Sequence, residues 1–165
     1  MEISDIIDFL PIYVNTDDEN FYDNIYTKKE FYDNKLTKIE NKPEKKGDLM
    51  KHQKIIARFF SSRTIYDRLL LYHEMGSGKT CAAIAAIEQI KSENNNFKGA
   101  LYLAKGEDLI DNFINELINV CTDGRYIPEN SENLTSGELK QRQKKSIKNY
   151  YSWNTFQKFA KYIQD

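Results

Sequence analysis

The sequence predicts an α/β fold, a parallel sheet with helices on both faces, and three observations predict it. A Gly-x-Gly-Lys-Thr stretch, Gly76-Ser77-Gly78-Lys79-Thr80, lies between a short apolar run and an alanine-rich segment. A second apolar run, Gly99 to Lys105, follows that segment. A strongly amphipathic stretch, Glu107 to Val120, follows in turn. The order strand, glycine turn, helix, strand, helix reads as a βαβ crossover, a unit of ~30 residues or more. Such a crossover makes parallel, right-handed connections. Neither apolar run alternates with polar residues, which suits strands covered on both faces.

The 165 residues suit one domain. Hydrophobic residues make up 40% and charged residues 30%, a globular composition. A formal net charge of -1 excludes a global basic field that would draw the chain to nucleic acid, so any such surface must be a local patch.

The elements can be placed in order. "SDIIDFL" is a short helix stopped by Pro11. The decads "FYDNIYTKKE" and "FYDNKLTKIE" resemble each other. Their period is shorter than the ~20–50 residues of stacked repeats, so they read as helical turns rich in Lys, Glu and Tyr. "ENKPEKKGD" is an exposed linker, with Pro43, Gly47 and mixed charges. "LMKHQKIIARFF" sets Leu49, Ile56, Phe59 and Phe60 on one helical face. "RLLLY", residues 68–72, is a candidate buried strand. Residues 79–91 form a helix, Gly99 to Lys105 a strand, and Glu107 to Val120 a helix in which Leu109, Phe113 and Leu117 recur beside Ile110, Ile114 and Ile118. After a loop with Gly124 and Pro128, Thr135 and Glu138 make a capping box for the helix through "ELKQRQKKSIKN". "YYSW" is a brief strand, and a last helix opens at Asn154 or Thr155.

Cys81 and Cys121 stand far apart in sequence, belong to no C-x-x-C pair, and have only His52 and His73 as possible co-ligands. A zinc site is not expected; the two read as separate free thiols, with Cys81 a packing residue. Glu2, Asp5 and Asp8 interrupt any secretory apolar stretch after Met1. No run approaches the ~20 apolar residues that span a bilayer. The expectation is an intracellular protein of a reducing compartment, with no membrane partner.

The glycine stretch carries the chemistry. Gly76 and Gly78 let the backbone turn tightly and bring N–H groups close to phosphate oxygens. The helix that opens at Lys79 adds unpaired N–H groups and a positive dipole end. Lys79 supplies charge for the β- and γ-phosphates, and Thr80 offers a hydroxyl to Mg²⁺. The expected cofactors are ATP and Mg²⁺, held by His73, Glu74, Met75, Gly76, Ser77, Gly78, Lys79 and Thr80, with Thr80 as the metal-facing residue. One position departs from G-x-x-x-x-G-K-[ST]: His73 stands where the first glycine would fall. His73 reads as a loop residue near the site, not as a base.

A glycine stretch without that first glycine resembles motif I of superfamily 2 helicases and SNF2-type ATPases. "LMKHQ" agrees, because Gln53 matches the glutamine that reads the adenine edge in those relatives; the bare residue reading is an exposed helix position. "GDLMKHQKIIARFF" with "LLLYHEMGSGKTCAAIAAIEQIK" is similar to helicases of large nucleocytoplasmic DNA viruses, a group that includes the small subunit of the poxvirus early transcription factor and the poxvirus nucleoside triphosphatase. The resemblance covers about Phe31 to the end. It implies a partial RecA-like domain over 48–165, an incomplete first helicase ATP-binding domain, preceded by a mainly helical extension and linker over 1–47. It implies contact with a DNA or RNA backbone through Lys105 and Gly106 in the segment after the second strand, and through Asn154 and Thr155. It also implies viral transcription proteins as partners, and the host cytoplasm, viral factory or virion as location.

ATP hydrolysis in that class needs an acidic pair at a later strand end. Glu107-Asp108 opens a helix, Asp17-Asp18-Glu19 precedes the loop, and Asp123 has no apolar strand before it. No catalytic residue is therefore assigned, and binding without autonomous hydrolysis is expected. An alternative is a non-catalytic interaction module that uses Lys140, Arg142, Lys144, Lys145 and Lys148, whose plainer reading is a solvated helix face. A small kinase is a third possibility, opposed by the Leu-Met-Lys-His-Gln segment.

Overall fold

A computed structural model of the chain describes residues 13–35, 48–61, 64–72, 74, 76–129 and 131–164. The expected helix before Pro11, most of the linker and the end of the second decad lie outside these residues. Two short helices, α1 (Phe21–Ile25) and α2 (Lys29–Tyr32), come first. The remaining elements are α3 (Lys51–Phe59), α4 (Lys79–Glu93), β1 (Ala100–Ala104), α5 (Glu107–Asn119), α6 (Ser136–Ile147), β2 (Tyr151–Thr155) and α7 (Phe156–Gln164).

β1 and β2 pair in parallel, with Ala100 opposite Tyr151 and Ala104 opposite Thr155. The crossover between them carries α5 and α6, as parallel pairing requires. The α/β class is thus as expected, but the crossover is one element later than the sequence suggests. Residues 68–72 are not a strand. Leu70 is 87% exposed and Tyr72 92% exposed, and no strand lies beside them among the described residues. An apolar run becomes a strand only where a neighbour supplies ladder hydrogen bonds, and here β1 and β2 supply them to each other.

The main core forms where α5 meets the sheet. Ile110, Phe113, Ile114, Leu117 and Ile118 are buried with Ile84, Tyr126, Ile147 and Tyr151. Phe113 stacks on Tyr102 at 4.0 Å between ring centroids. Leu109, expected on that face, is exposed. In β1, Tyr102 and Ala104 join the core, while on the other face Leu101 is exposed and Leu103 half-buried, so that face is covered only in part.

A second cluster ties α1 and α2 to the end of α3 and the segment beyond it. Ile25 and Phe31 pack around Tyr66, and Phe59 stacks on Tyr66 at 4.2 Å. The third cluster positions the glycine loop: Ile56 of α3 meets Ala82 and Ala86 of α4, whose small side chains let the helices approach closely. The capping box at α6 forms as expected, with Thr135 N donating to Glu138 Oε2 at 3.0 Å and Glu138 N to Thr135 Oγ1 at 3.4 Å. The basic residues of α6 are a largely exposed face, on which Lys144 pairs with Asp111 at 3.4 Å.

The two cysteines correct the reading as free thiols. Cys81, in the first turn of α4, is disulfide-bonded to Cys121, just beyond α5. Sequence separation of 40 residues conceals the pair; the packing of α4 against α5 creates it. Among the described residues no helix is long and apolar enough to cross a membrane.

Candidate nucleotide site

α4 begins where a phosphate cradle needs it to. Gly76 has φ +81° and Gly78 φ +77°, left-handed conformations that glycine adopts without a Cβ penalty. Gly78 is the residue that opens α4, so the orphan N–H groups of the helix's first turn come directly after it. Lys79 and Thr80 stand in that turn. Lys79 Nζ donates to the carbonyl of Glu74 at 2.7 Å, which folds the side chain back over the loop it would serve. Two of the expected loop residues, His73 and Met75, lie outside the described residues.

α3 holds the loop from behind. Gln53 is not an exposed helix residue: it is 3% exposed. Its Nε2 donates to the carbonyl of Gly78 at 3.2 Å, and its Oε1 accepts from Met50 N at 2.9 Å. His52 is a contact that sequence reasoning missed. Its Nε2 lies 2.9 Å from the carbonyl of Ser77. A carbonyl can only accept, so this nitrogen carries the proton. The available signal was adjacency: His52 precedes Gln53, and successive helix residues can meet successive loop carbonyls when the loop crosses the helix end.

The residues fit a phosphate-bearing ligand. Ser77 Oγ is buried with no hydrogen-bond partner among the described residues, an arrangement that costs ~1–3 kcal/mol unless a partner arrives. A Cβ added at Gly76 would meet no other atom within 4 Å, so the loop's outer side has room for a ligand. The donors assembled there are backbone N–H groups, a hydroxyl and a lysine, the set suited to anionic oxygen.

Comparison with known proteins gives the family of the chain. The family described as "Type III restriction enzyme, res subunit" matches residues 25–164. The chain belongs to this family. The candidate helicase 087L of Invertebrate iridescent virus 3 is 38% identical over 166 residues, spanning 94% of this chain and 17% of the relative. The candidate helicase 009L of Frog virus 3 is 39% identical over 113 residues, 68% of this chain and 12% of the relative. The candidate ATP-dependent RNA helicase R563 of Acanthamoeba polyphaga mimivirus is 32% identical over 171 residues, 92% of this chain and 28% of the relative. The chain thus spans less than a third of the length of these curated relatives. No solved structure matches. The resemblance to helicases of large DNA viruses and the partial RecA-like class stand on these findings.

In this chain of the Type III restriction enzyme res-subunit family, the expected nucleic-acid residues come together at one sheet end. The register sets Ala104 opposite Thr155, so Lys105 and Gly106 leave β1 beside the exit of β2. Asn154 and Thr155 lie on β2 itself, and the last helix opens after Thr155, whose Oγ1 accepts from Lys158 N at 3.3 Å. Lys105 is exposed, whereas Thr155 is buried at the edge. Lys158 Nζ pairs with Glu107 Oε1 at 2.5 Å and ties α7 to the start of α5.

A polar knot lies further along α4. The Glu88 carboxylate accepts from Tyr126 Oη at 2.5 Å, Tyr151 Oη at 2.6 Å and Arg125 at 2.6 Å, with Lys91 at 3.5 Å. Lys91 also donates to the Tyr126 hydroxyl and sits 3.9 Å from the Tyr150 ring centroid. Burial works against ionising Glu88, but the two tyrosine hydroxyls and the Lys91 and Arg125 charges outweigh it and hold the carboxyl below its ordinary value. Burial first, and Glu88 next, push Tyr126 and Tyr151 upward, so both remain neutral donors. A carboxyl with a depressed folded pKa stabilises the fold above its unfolded value, ~4.3, and that contribution fades as pH falls through the folded value. Urea midpoints measured from about pH 6 to about pH 3 should therefore fall more steeply for the wild type than for Glu88→Gln. Parallel curves would show that the knot makes no ionic contribution.

Proposed function

We propose that this chain binds ATP with Mg²⁺ through residues 73–80, as part of the ATP-binding half of a superfamily 2 helicase or translocase serving viral transcription. The observation that carries the proposal is the left-handed Gly76 and Gly78 pair at the head of α4, with Lys79 and Thr80 in the next turn and Ser77 Oγ lacking a partner among the described residues. Lys79 would exchange the Glu74 carbonyl for phosphate oxygen, and Thr80 would face the metal. When bound, the nucleotide supplies the anhydride whose cleavage drives such motors. Gln53 holds the Gly78 carbonyl, and its reading of the adenine edge would require that bond to be shared or released. Lys105, Gly106, Asn154 and Thr155 would meet a DNA or RNA backbone, in an infected cell.

The test is a calorimetric titration with ATP and Mg²⁺. Lys79→Ala removes a charge-assisted contact of ~1.5–3 kcal/mol, so affinity should fall about 10- to 100-fold. Absence of binding by the wild type would overturn the reading. Among the described residues after Thr80, no acidic pair stands at a strand end. Phosphate release at a motor's rate, abolished by Lys79→Ala, would contradict the proposal of binding without autonomous hydrolysis.

A further inference from the structure

We propose that Cys81 and Cys121 form a reversible redox-modification site that sets nucleotide affinity, an inference that rests on the nucleotide reading of the 73–80 loop. Three observations carry it. The bond joins the first turn of α4, two residues after Lys79, to the segment just past α5, so it grips the element that presents Lys79 and Thr80. Cys121 is among the residues that line a cavity of about 480 Å³ between α3, α4 and the 121–125 segment, so the end of the bond past α5 borders open space. Neither cysteine sits in the interior of the main core: both are partly exposed, and Cys121 packs only at its edge. In a reducing compartment such a pair is transient or sensing rather than a permanent staple.

The chemistry balances with a low-molecular-weight disulfide, such as oxidised glutathione, as oxidant. The Cys121 thiolate attacks one of its sulfurs, breaking that S–S bond and releasing one thiol. Cys81 then attacks the Cys121 sulfur of the mixed disulfide, forming the internal bond and releasing the second thiol. Two electrons pass from the cysteines to the oxidant, and their two protons end on the released thiols.

Bonded, the first turn of α4 is held against α5, and part of the ordering that a cradle needs is already in place before ligand arrives. Reduction frees that turn. The oxidised chain therefore binds ATP more tightly, by about 5-fold or more, the lower end of ordinary site-to-site coupling.

The test compares the chain after oxidised glutathione and after dithiothreitol, with the thiol state verified by mass. Titration with ATP and Mg²⁺ should give the tighter constant for the oxidised form, and Cys121→Ser should match the reduced form under both treatments. Hydrogen exchange of residues 78–84, measured without nucleotide, should be slower in the oxidised chain. Equal affinities and equal exchange in verified states would overturn the proposal, as would failure of oxidised glutathione to form the bond. If neither state binds ATP, the nucleotide reading fails; slower exchange in the oxidised form would then still support the clamp on α4, and unchanged exchange would remove it.

Discussion

Gly78→Ala should lose both stability and nucleotide binding. Gly78 has φ +77°, and a side chain there costs ~1–2 kcal/mol from backbone sterics alone. The added Cβ would also lie 2.6 Å from Gln53 Nε2 and 3.1 Å from Met50 Cε. Gln53 is buried and bonded at both ends of its amide, so moving it breaks the bond to the Gly78 carbonyl. Overpacking of this kind adds ~1–3 kcal/mol, for a total of about 2–5 kcal/mol. Equilibrium denaturation should show that loss, and ATP affinity should fall with it. Gly137 is the internal control: it lies in α6, has no left-handed φ, and a Cβ there meets nothing within 4 Å. Gly137→Ala should leave binding intact and change stability by less than ~1 kcal/mol, since Gly137 lies in the first turn of α6, where the full helix-interior penalty of glycine is not felt. Equal behaviour of the two variants would refute the claim that Gly78 is held in place by α3.

Leu117→Ala should be the most destabilising change on the far side of the molecule. Leu117 is 0% exposed and lies in the middle of the α5 face that covers the sheet. Truncation of such a leucine costs ~2–5 kcal/mol, from lost transfer energy and the cavity left behind. Leu109, two turns earlier on the same helix, is 52% exposed, so Leu109→Ala should cost well under half as much. Urea denaturation of the two variants separates them. Comparable losses would mean that the amphipathic face of α5 is rotated from its place in this structure.

Much of the site is legible in the residues themselves. Gly76 and Gly78 announce a tight turn because the left-handed region excludes most other side chains, and the alanine-rich run after Lys79 announces the helix that a phosphate cradle needs. The five buried positions of α5 come from helical spacing, and the Thr135–Glu138 cap from local chemistry. All of these depend on neighbours within about four residues, where the chain's own geometry decides.

Contacts between distant segments are different. Residues 68–72 look like a strand by composition, yet a strand exists only where another backbone offers its hydrogen bonds, and that backbone went to β1 and β2. Gln53 could be an exposed helix residue or a base reader; its burial against Gly78 depends on how α3 packs on α4 through Ile56, Ala82 and Ala86. His52 reaches Ser77, Glu88 gathers Tyr126 and Tyr151, and Cys81 meets Cys121 for the same reason. By itself the sequence determined the glycine turn, its helix and the amphipathic faces, because torsional sterics and helical period act locally. The tertiary structure alone decided which strands pair, what holds the cradle from behind and which cysteines meet, because those outcomes depend on packing between segments that local spacing does not encode.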